Sequence, residues 1–161
     1  MNILEQIADK TRERLQRQKA FYPLGALREQ CRHLGASDGQ AFVDALKTPG
    51  MRFICEIKKA SPSKGIIDPD FDYLSIARAY EAAGADCISC LTEPNWFLGS
   101  DEIFRAVRQT VATPMIRKDF TVDEYQIYQA RIMGANAVLL ICSLLDTNTL
   151  ARYLGVCDQL G

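Results

Sequence analysis

Three charged residues end short apolar runs at positions that suit proton-transfer chemistry. Glu56 and Lys58 are two residues apart at the end of the run that begins at Phe53, and Lys118 ends a later run. Residues two apart on a strand project from the same face. Converging ammonium groups depress each other's proton affinity, and a carboxylate offsets part of that repulsion. The alternative is that these charges face solvent, as on a half-buried antiparallel strand.

The strand that carries Glu56 and Lys58 is predicted to end in a polar loop. Ser61 to Gly65 follows Lys58 at once. Pro62 lacks a backbone donor, and Gly65 favours a turn. The two charges therefore stand just before a loop.

Size and charge narrow the classes of function. A chain of 161 residues and 18.0 kDa fits one domain with a real core. Nineteen basic against twenty acidic residues give no field that favours a nucleic acid or an anionic membrane, so neither is predicted as a partner.

The first fifteen residues carry charges throughout, unlike a signal peptide, and no apolar run reaches the ~18 residues of a membrane span. We expect a cytoplasmic protein.

The six cysteines do not form a metal-binding pattern. Cys87 and Cys90 form the single CxxC pair, with one histidine, His33, elsewhere in the chain. On the predicted strand, residues three apart point to opposite faces, so this pair cannot converge on one ion. We expect reduced, buried thiols and no metal.

Helices and strands alternate along most of the chain. Helical periodicity is found at 1–18, 24–31, 38–46, 73–83, 101–109, 123–133 and 147–160. Strands are predicted at 53–57, 86–91, 114–117 and 137–141. This order predicts a helical extension over residues 1–50, followed over 51–161 by four strand-then-helix (βα) units. Strands joined by crossover helices pair in parallel and are covered on both faces, which argues against a solvent face for Glu56 and Lys58.

Two parallel architectures fit this order, an open doubly wound sheet and a (β/α)₈ barrel. An internal echo supports regular units, since residues 83–86 and 133–136 lie 50 positions apart and each joins a helix end to a strand. Neither GxGxxG nor GxxxxGK[ST] is present. A barrel accounts for the charges better, because its reaction face lies at the carboxyl ends of the strands.

Four segments in order resemble the indole-3-glycerol-phosphate synthase family. They are Glu56 to Gly65, Leu91 to Ser100, Pro114 to Phe120 and Gly134 to Ile141. The resemblance implies a (β/α)₈ barrel lyase of tryptophan biosynthesis that works without a cofactor. Its reaction converts 1-(2-carboxyphenylamino)-1-deoxyribulose 5-phosphate to indole-3-glycerol phosphate, with release of carbon dioxide and water.

The resemblance also implies roles for the three charged residues. Lys118 matches the general acid that protonates the ketone during ring closure. Lys58 matches a lysine that contacts the anionic groups of the substrate and takes part in the later dehydration. Glu56 matches the carboxylate beside them.

Five further positions match substrate contacts of the family. Ser61 matches a polar contact, and Phe97, Phe120 and Leu139 match apolar positions around the anthranilate ring, with Pro62 near them. For Phe97, Phe120 and Leu139 the alternative is ordinary core packing.

The family's barrel needs about 250 residues, so the resemblance covers its first half. A second catalytic glutamate, an asparagine and the phosphate site belong to later strands of the family. We therefore expect little or no activity from this chain alone, and self-association through the exposed half-barrel face. The alternatives are a non-catalytic assembly or folding module that binds phosphorylated ligands weakly, or another phosphate-binding barrel enzyme.

Overall fold

Three helices precede the first strand. The computed structural model describes residues 2–161, and these helices are α1 Ile3–Phe21, α2 Leu24–Arg32 and α3 Gly39–Lys47. Asn2 caps α1 in a capping box with Glu5, since each side chain accepts a hydrogen bond from the backbone N–H of the other. The predicted helices are confirmed with small shifts at their ends, and residue 1 of the first lies outside the described residues.

The rest of the chain is the predicted alternation of strands and helices. In order it forms β1 Ile54–Ile57, β2 Ala60–Ser61, β3 Gly65–Ile66, α4 Tyr73–Ala82, β4 Cys87–Leu91, α5 Asp101–Thr110, β5 Met115–Lys118, α6 Glu124–Ile132, β6 Ala137–Val138 and α7 Thr147–Leu160. Within residues 2–161, no helix is both long enough and apolar enough to cross a membrane.

Four strands form one parallel sheet in the order β1-β4-β5-β6. This confirms the parallel α/β architecture with four βα units. The sheet is open: in the part of the chain that the structure describes, β1 pairs only with β4 and β6 pairs only with β5. No closed barrel is formed by residues 2–161.

Two local predictions are wrong. The strand predicted at 137–141 pairs only over β6, two residues, because the β5 ladder ends at Arg117 opposite Val138. The polar loop after Lys58 contains an antiparallel hairpin, β2 with β3. Gly65 has φ +64° there, a left-handed conformation that glycine adopts readily.

Helices α4 and α5 cover one face of the sheet, here called the outer face. Side chains of β1, β4 and β5 pack there against α4 and α5 in a core that includes Ile57, Ile88, Phe104, Val107 and Met115. A second core joins α1, α2, α6 and α7. The N-terminal helices are thus packed against the βα units.

The repeated segments at 83–86 and 133–136 end in the same arrangement of hydrogen bonds. Asp86 accepts a hydrogen bond from Phe53 N (2.8 Å), and its own N–H donates to Phe53 O. Fifty residues later, Asn136 makes the same reciprocal pair with Met115. In both cases a polar side chain fixes the start of the preceding strand in the sheet, which sets the register of the carboxyl ends.

A buried ionic network joins α1 to the end of β5. Arg14 of α1 donates to Asp119 Oδ2 at 2.9 Å, and the hydroxyl of Thr92 donates to the same oxygen at 2.7 Å. Arg117 lies 3.6 Å from that oxygen and pairs with Asp101 at 2.8 Å. Burial alone raises the pKa of the Asp119 carboxyl, but Arg117, Arg14 and Thr92 outweigh it and hold the pKa below its ordinary value.

We expect Arg14→Met to lower the free energy of unfolding by about 3 kcal/mol, because it leaves a buried carboxylate short of one cation. Urea unfolding of the chain measures this. The matched control is Arg12→Met, also on α1, which removes an exposed pair with Asp9 and should change stability little. Equal losses in the two variants would contradict a special role for the buried pair.

Candidate active site

Glu56, Lys58 and Lys118 meet at one edge of the sheet. Glu56 lies in β1, Lys58 directly follows that strand, and Lys118 is the last residue of β5. The carboxyl ends of parallel strands point the same way, so the three side chains are delivered to a common edge. β4 lies between β1 and β5, so Lys118 reaches across one strand.

The carboxylate of Glu56 bridges the two lysines. Its Oε1 lies 2.8 Å from Lys58 Nζ, and its Oε2 lies 2.9 Å from Lys118 Nζ. The side chains are 26%, 32% and 36% exposed for Glu56, Lys58 and Lys118, so the cluster is half-buried and open to a ligand. Two predictions are confirmed: Glu56 and Lys58 share one face, and all three groups lie at the carboxyl ends of the strands. Their catalytic roles stay predictions.

The electrostatics of the cluster favour an ionised carboxylate. Partial burial by itself raises the pKa of Glu56. Hydrogen bonds from Lys58, Lys118 and Ser89 outweigh that effect and hold the pKa below its ordinary value. Two lysine side chains and one carboxylate meet in the cluster, so it has one more basic group than acidic groups. It can attract an anion and present a proton donor to it.

Two aromatic rings lie beside each other near the charged cluster. Phe120 follows Lys118 by two residues, and Phe97 lies in the loop after β4. Their ring centroids are 6.0 Å apart with a tilt of 40°, within the range of a favourable aromatic pair. The structure therefore brings together two of the residues predicted to contact an aromatic substrate.

The loop that carries Phe97 is organised by a residue that sequence reasoning missed. The Glu93 side chain is fully buried and accepts hydrogen bonds from the backbone N–H groups of Asn95, Trp96 and Phe97 at 2.8 to 3.0 Å. These backbone donors satisfy the carboxylate, and no ion pair is formed with it within residues 2–161. Its sequence signal was a lone acidic residue two positions after an apolar strand.

The same loop requires glycine at position 99. A Cβ there would lie 2.2 Å from the carbonyl oxygen of Leu91. Gly99 N–H donates to Glu93 O at 2.9 Å. Backbone and side chain of Glu93 thus hold both ends of the loop.

The remaining three predicted contacts lie in segments that follow two strands of the parallel sheet, β1 and β6. Ser61 ends β2, Pro62 is exposed at the hairpin turn, and Leu139 follows β6. Because Arg117 is paired with Val138, Leu139 lies one step further along, at the level of Lys118. Within residues 2–161, no hydrogen bond joins Ser61 to the charged cluster.

Ser89 is a second residue that the sequence analysis missed. Its hydroxyl donates to Glu56 Oε2 at 2.9 Å. A serine inside an apolar strand gave no distinct signal before its neighbour across the sheet was known.

The described residues hold no cluster of histidine, cysteine and acidic side chains arranged for a metal ion. All six cysteines are free. Cys87 lies near α3, at 3.9 Å from Phe42 O, whereas Cys90 belongs to the core under α4 and α5. The two thiols therefore point to opposite faces, as predicted.

The comparisons with known proteins all match the same family. The family model described as "Indole-3-glycerol phosphate synthase" matches residues 4–161. The indole-3-glycerol phosphate synthase of Ruminiclostridium cellulolyticum is 50% identical over 159 residues, covering 99% of this chain and 61% of the relative. That of Lachnoclostridium phytofermentans is 41% identical over 170 residues, covering 99% and 63%.

A third relative matches a shorter region at higher identity. The indole-3-glycerol phosphate synthase of Neisseria meningitidis serogroup C is 56% identical over 108 residues, covering 67% of this chain and 42% of the relative. The chain spans about three-fifths of the length of the first two relatives. The chain belongs to the indole-3-glycerol phosphate synthase family.

Proposed function

We propose that this chain supplies the first four βα units of an indole-3-glycerol phosphate synthase barrel. The observation that carries this proposal is the Glu56 carboxylate, bound at once to Lys58 and Lys118. Residues 51–161 form the half barrel in this proposal, and residues 1–50 form a helical extension packed against it. The reaction is the ring closure and decarboxylation of 1-(2-carboxyphenylamino)-1-deoxyribulose 5-phosphate, without a cofactor.

Each charged residue has a role that its geometry supports. Lys118 protonates the ketone oxygen as the ring closes, because it is an ammonium donor held at a strand end. Lys58 binds the anionic groups of the substrate and assists the loss of water. Glu56 keeps both amines in place until the anionic substrate competes for them.

The apolar residues form the binding surface for the anthranilate ring. Phe97 and Phe120 offer adjacent rings, and Leu139 lies at the level of Lys118. Ser61 and Pro62 contact the substrate from the hairpin that follows β1. The free state of all six cysteines fits a reducing compartment such as the cytoplasm.

Binding without turnover is the expected behaviour of the 161-residue chain. The relatives extend well beyond the matched region, and further catalytic groups lie there in this proposal. Calorimetric titration with a reduced substrate analogue should show binding, whereas an assay for indole-3-glycerol phosphate should show little or no product. Lys118→Met should weaken binding by about 10- to 100-fold, because it removes a charged donor.

The control for this titration is Lys10→Met, which alters an exposed lysine paired with Glu13 on α1. It should bind like the unaltered chain. Absence of binding by the unaltered chain would favour a non-catalytic module. Turnover that Lys118→Ala abolishes would show that the chain is active by itself.

A second candidate function is a self-associating half-barrel module that binds phosphorylated ligands weakly. It rests on the free edge of β1, which pairs on one side only within residues 2–161. Met51, Phe53 and Ile54 are exposed along this edge. Unpaired strand edges with apolar side chains favour association with another chain.

We expect the chain to form a dimer at micromolar concentration, as measured by light scattering. Ile54→Lys should shift it towards the monomer, because a charge on an edge strand opposes pairing. The control is Leu154→Lys, which places the same charge on an exposed site of α7. A stable monomer of the unaltered chain would contradict self-association.

A further inference from the structure

Ser89 occupies an unusual position for a hydroxyl. It is the middle residue of β4, where all five residues are buried, and it is 5% exposed. Its neighbours in the strand are cysteine, isoleucine and leucine. Burial of a hydroxyl is costly unless it makes a hydrogen bond. Its partner is the Glu56 carboxylate, at 2.9 Å.

The sheet register makes this contact a consequence of the fold. Glu56 of β1 and Ser89 of β4 are Cα partners in the parallel ladder. Ser89 is also paired with Ile116 of β5, two residues before Lys118. Paired residues lie on the same face, so Ser89 is directly between the strands that carry Glu56 and Lys118.

The small size of Ser89 leaves space for the bridge. Strands two positions apart in a sheet are separated by about 10 Å. Glu56 and Lys118 nevertheless meet at 2.9 Å, and their side chains do so over β4. A larger side chain at position 89 would occupy the volume that they use.

The hydroxyl also acts on one carboxylate oxygen rather than both. Lys58 contacts Oε1, whereas Ser89 and Lys118 contact Oε2. The last torsion of a glutamate side chain has broad minima, so the carboxylate needs an external contact to fix its plane. Lys58 is two residues from Glu56 in the chain, whereas Lys118 comes from β5.

We propose that Ser89 is a positioning residue, which directs Glu56 Oε2 towards the Lys118 ammonium and leaves the space in which they meet. This inference rests on the proposed function only in treating the Glu56–Lys118 pair as part of a catalytic site. The arrangement itself can be tested without substrate. Its failure is therefore distinguishable from failure of the proposed function.

The test measures Glu56 and Lys118 separately in the 161-residue chain. In Ser89→Ala, a pH titration followed by carboxyl ¹³C NMR should show a raised Glu56 pKa, because the ionised form loses a donor. Acylation of Lys118, quantified by peptide mass spectrometry, should be about 2- to 10-fold faster relative to Lys58, because its ion pair is less populated. A merely structural residue would not produce this asymmetry between the two lysines.

The matched control is Ser75→Ala. The hydroxyl of Ser75 donates to Asp72 at 2.7 Å, and its backbone N–H donates to the same side chain at 3.0 Å. These two hydrogen bonds lower the pKa of Asp72. This variant should raise the pKa of Asp72 and leave Glu56 and Lys118 unchanged. Circular dichroism establishes that each variant is folded.

Ser89→Cys provides a second variant of similar size with a weaker donor, should Ser89→Ala fail to fold. It should raise the Glu56 pKa and the Lys118 acylation rate in the same direction. Unchanged values for both groups in a folded variant would overturn the proposal.

Discussion

The site depends on the two ion pairs that the Glu56 carboxylate makes with Lys58 and Lys118. Two ammonium groups, brought to one edge by strands on either side of β4, repel each other unless an anion lies between them. Glu56 is that anion, with one oxygen 2.8 Å from Lys58 and the other 2.9 Å from Lys118. The parallel sheet sets where the strand ends lie, and the carboxylate allows the charges to converge there.

Successive side chains at the end of β5 point to opposite faces of the sheet. Arg117, Lys118 and Asp119 are consecutive charged residues. Arg117 and Asp119 are buried in the ionic network with Asp101 and Arg14. Lys118, between them, projects from the other face and meets Glu56. The network holds the strand end, so Arg14 of α1 helps to fix the segment that carries Lys118.

Sequence reasoning succeeded where the pattern is local. The spacing of Glu56 and Lys58 predicted their common face, and helical periodicity predicted the seven helices that residues 2–161 form to within a few residues. It failed for residues whose types gave no distinct signal apart from a neighbour across the sheet or in a folded loop. The contact of Ser89 with Glu56 becomes evident only when the register of β1 and β4 is known.

The two loops next to the site show the same limit. The hairpin of β2 and β3 is too short for an alternating pattern to predict it. The role of Glu93 depends on backbone N–H groups that the folded loop turns towards it. Such contacts arise from three-dimensional proximity, so residue types alone do not reveal them.

Zero-length cross-linking tests the central claim most directly. A carbodiimide joins a carboxylate to an amine only when they are in contact, and the product is identified by peptide mass spectrometry. The 2.9 Å separation of Glu56 Oε2 and Lys118 Nζ predicts an amide between these two residues within a single chain. Coupling of Lys118 to other carboxylates, with no Glu56 product, would contradict the account.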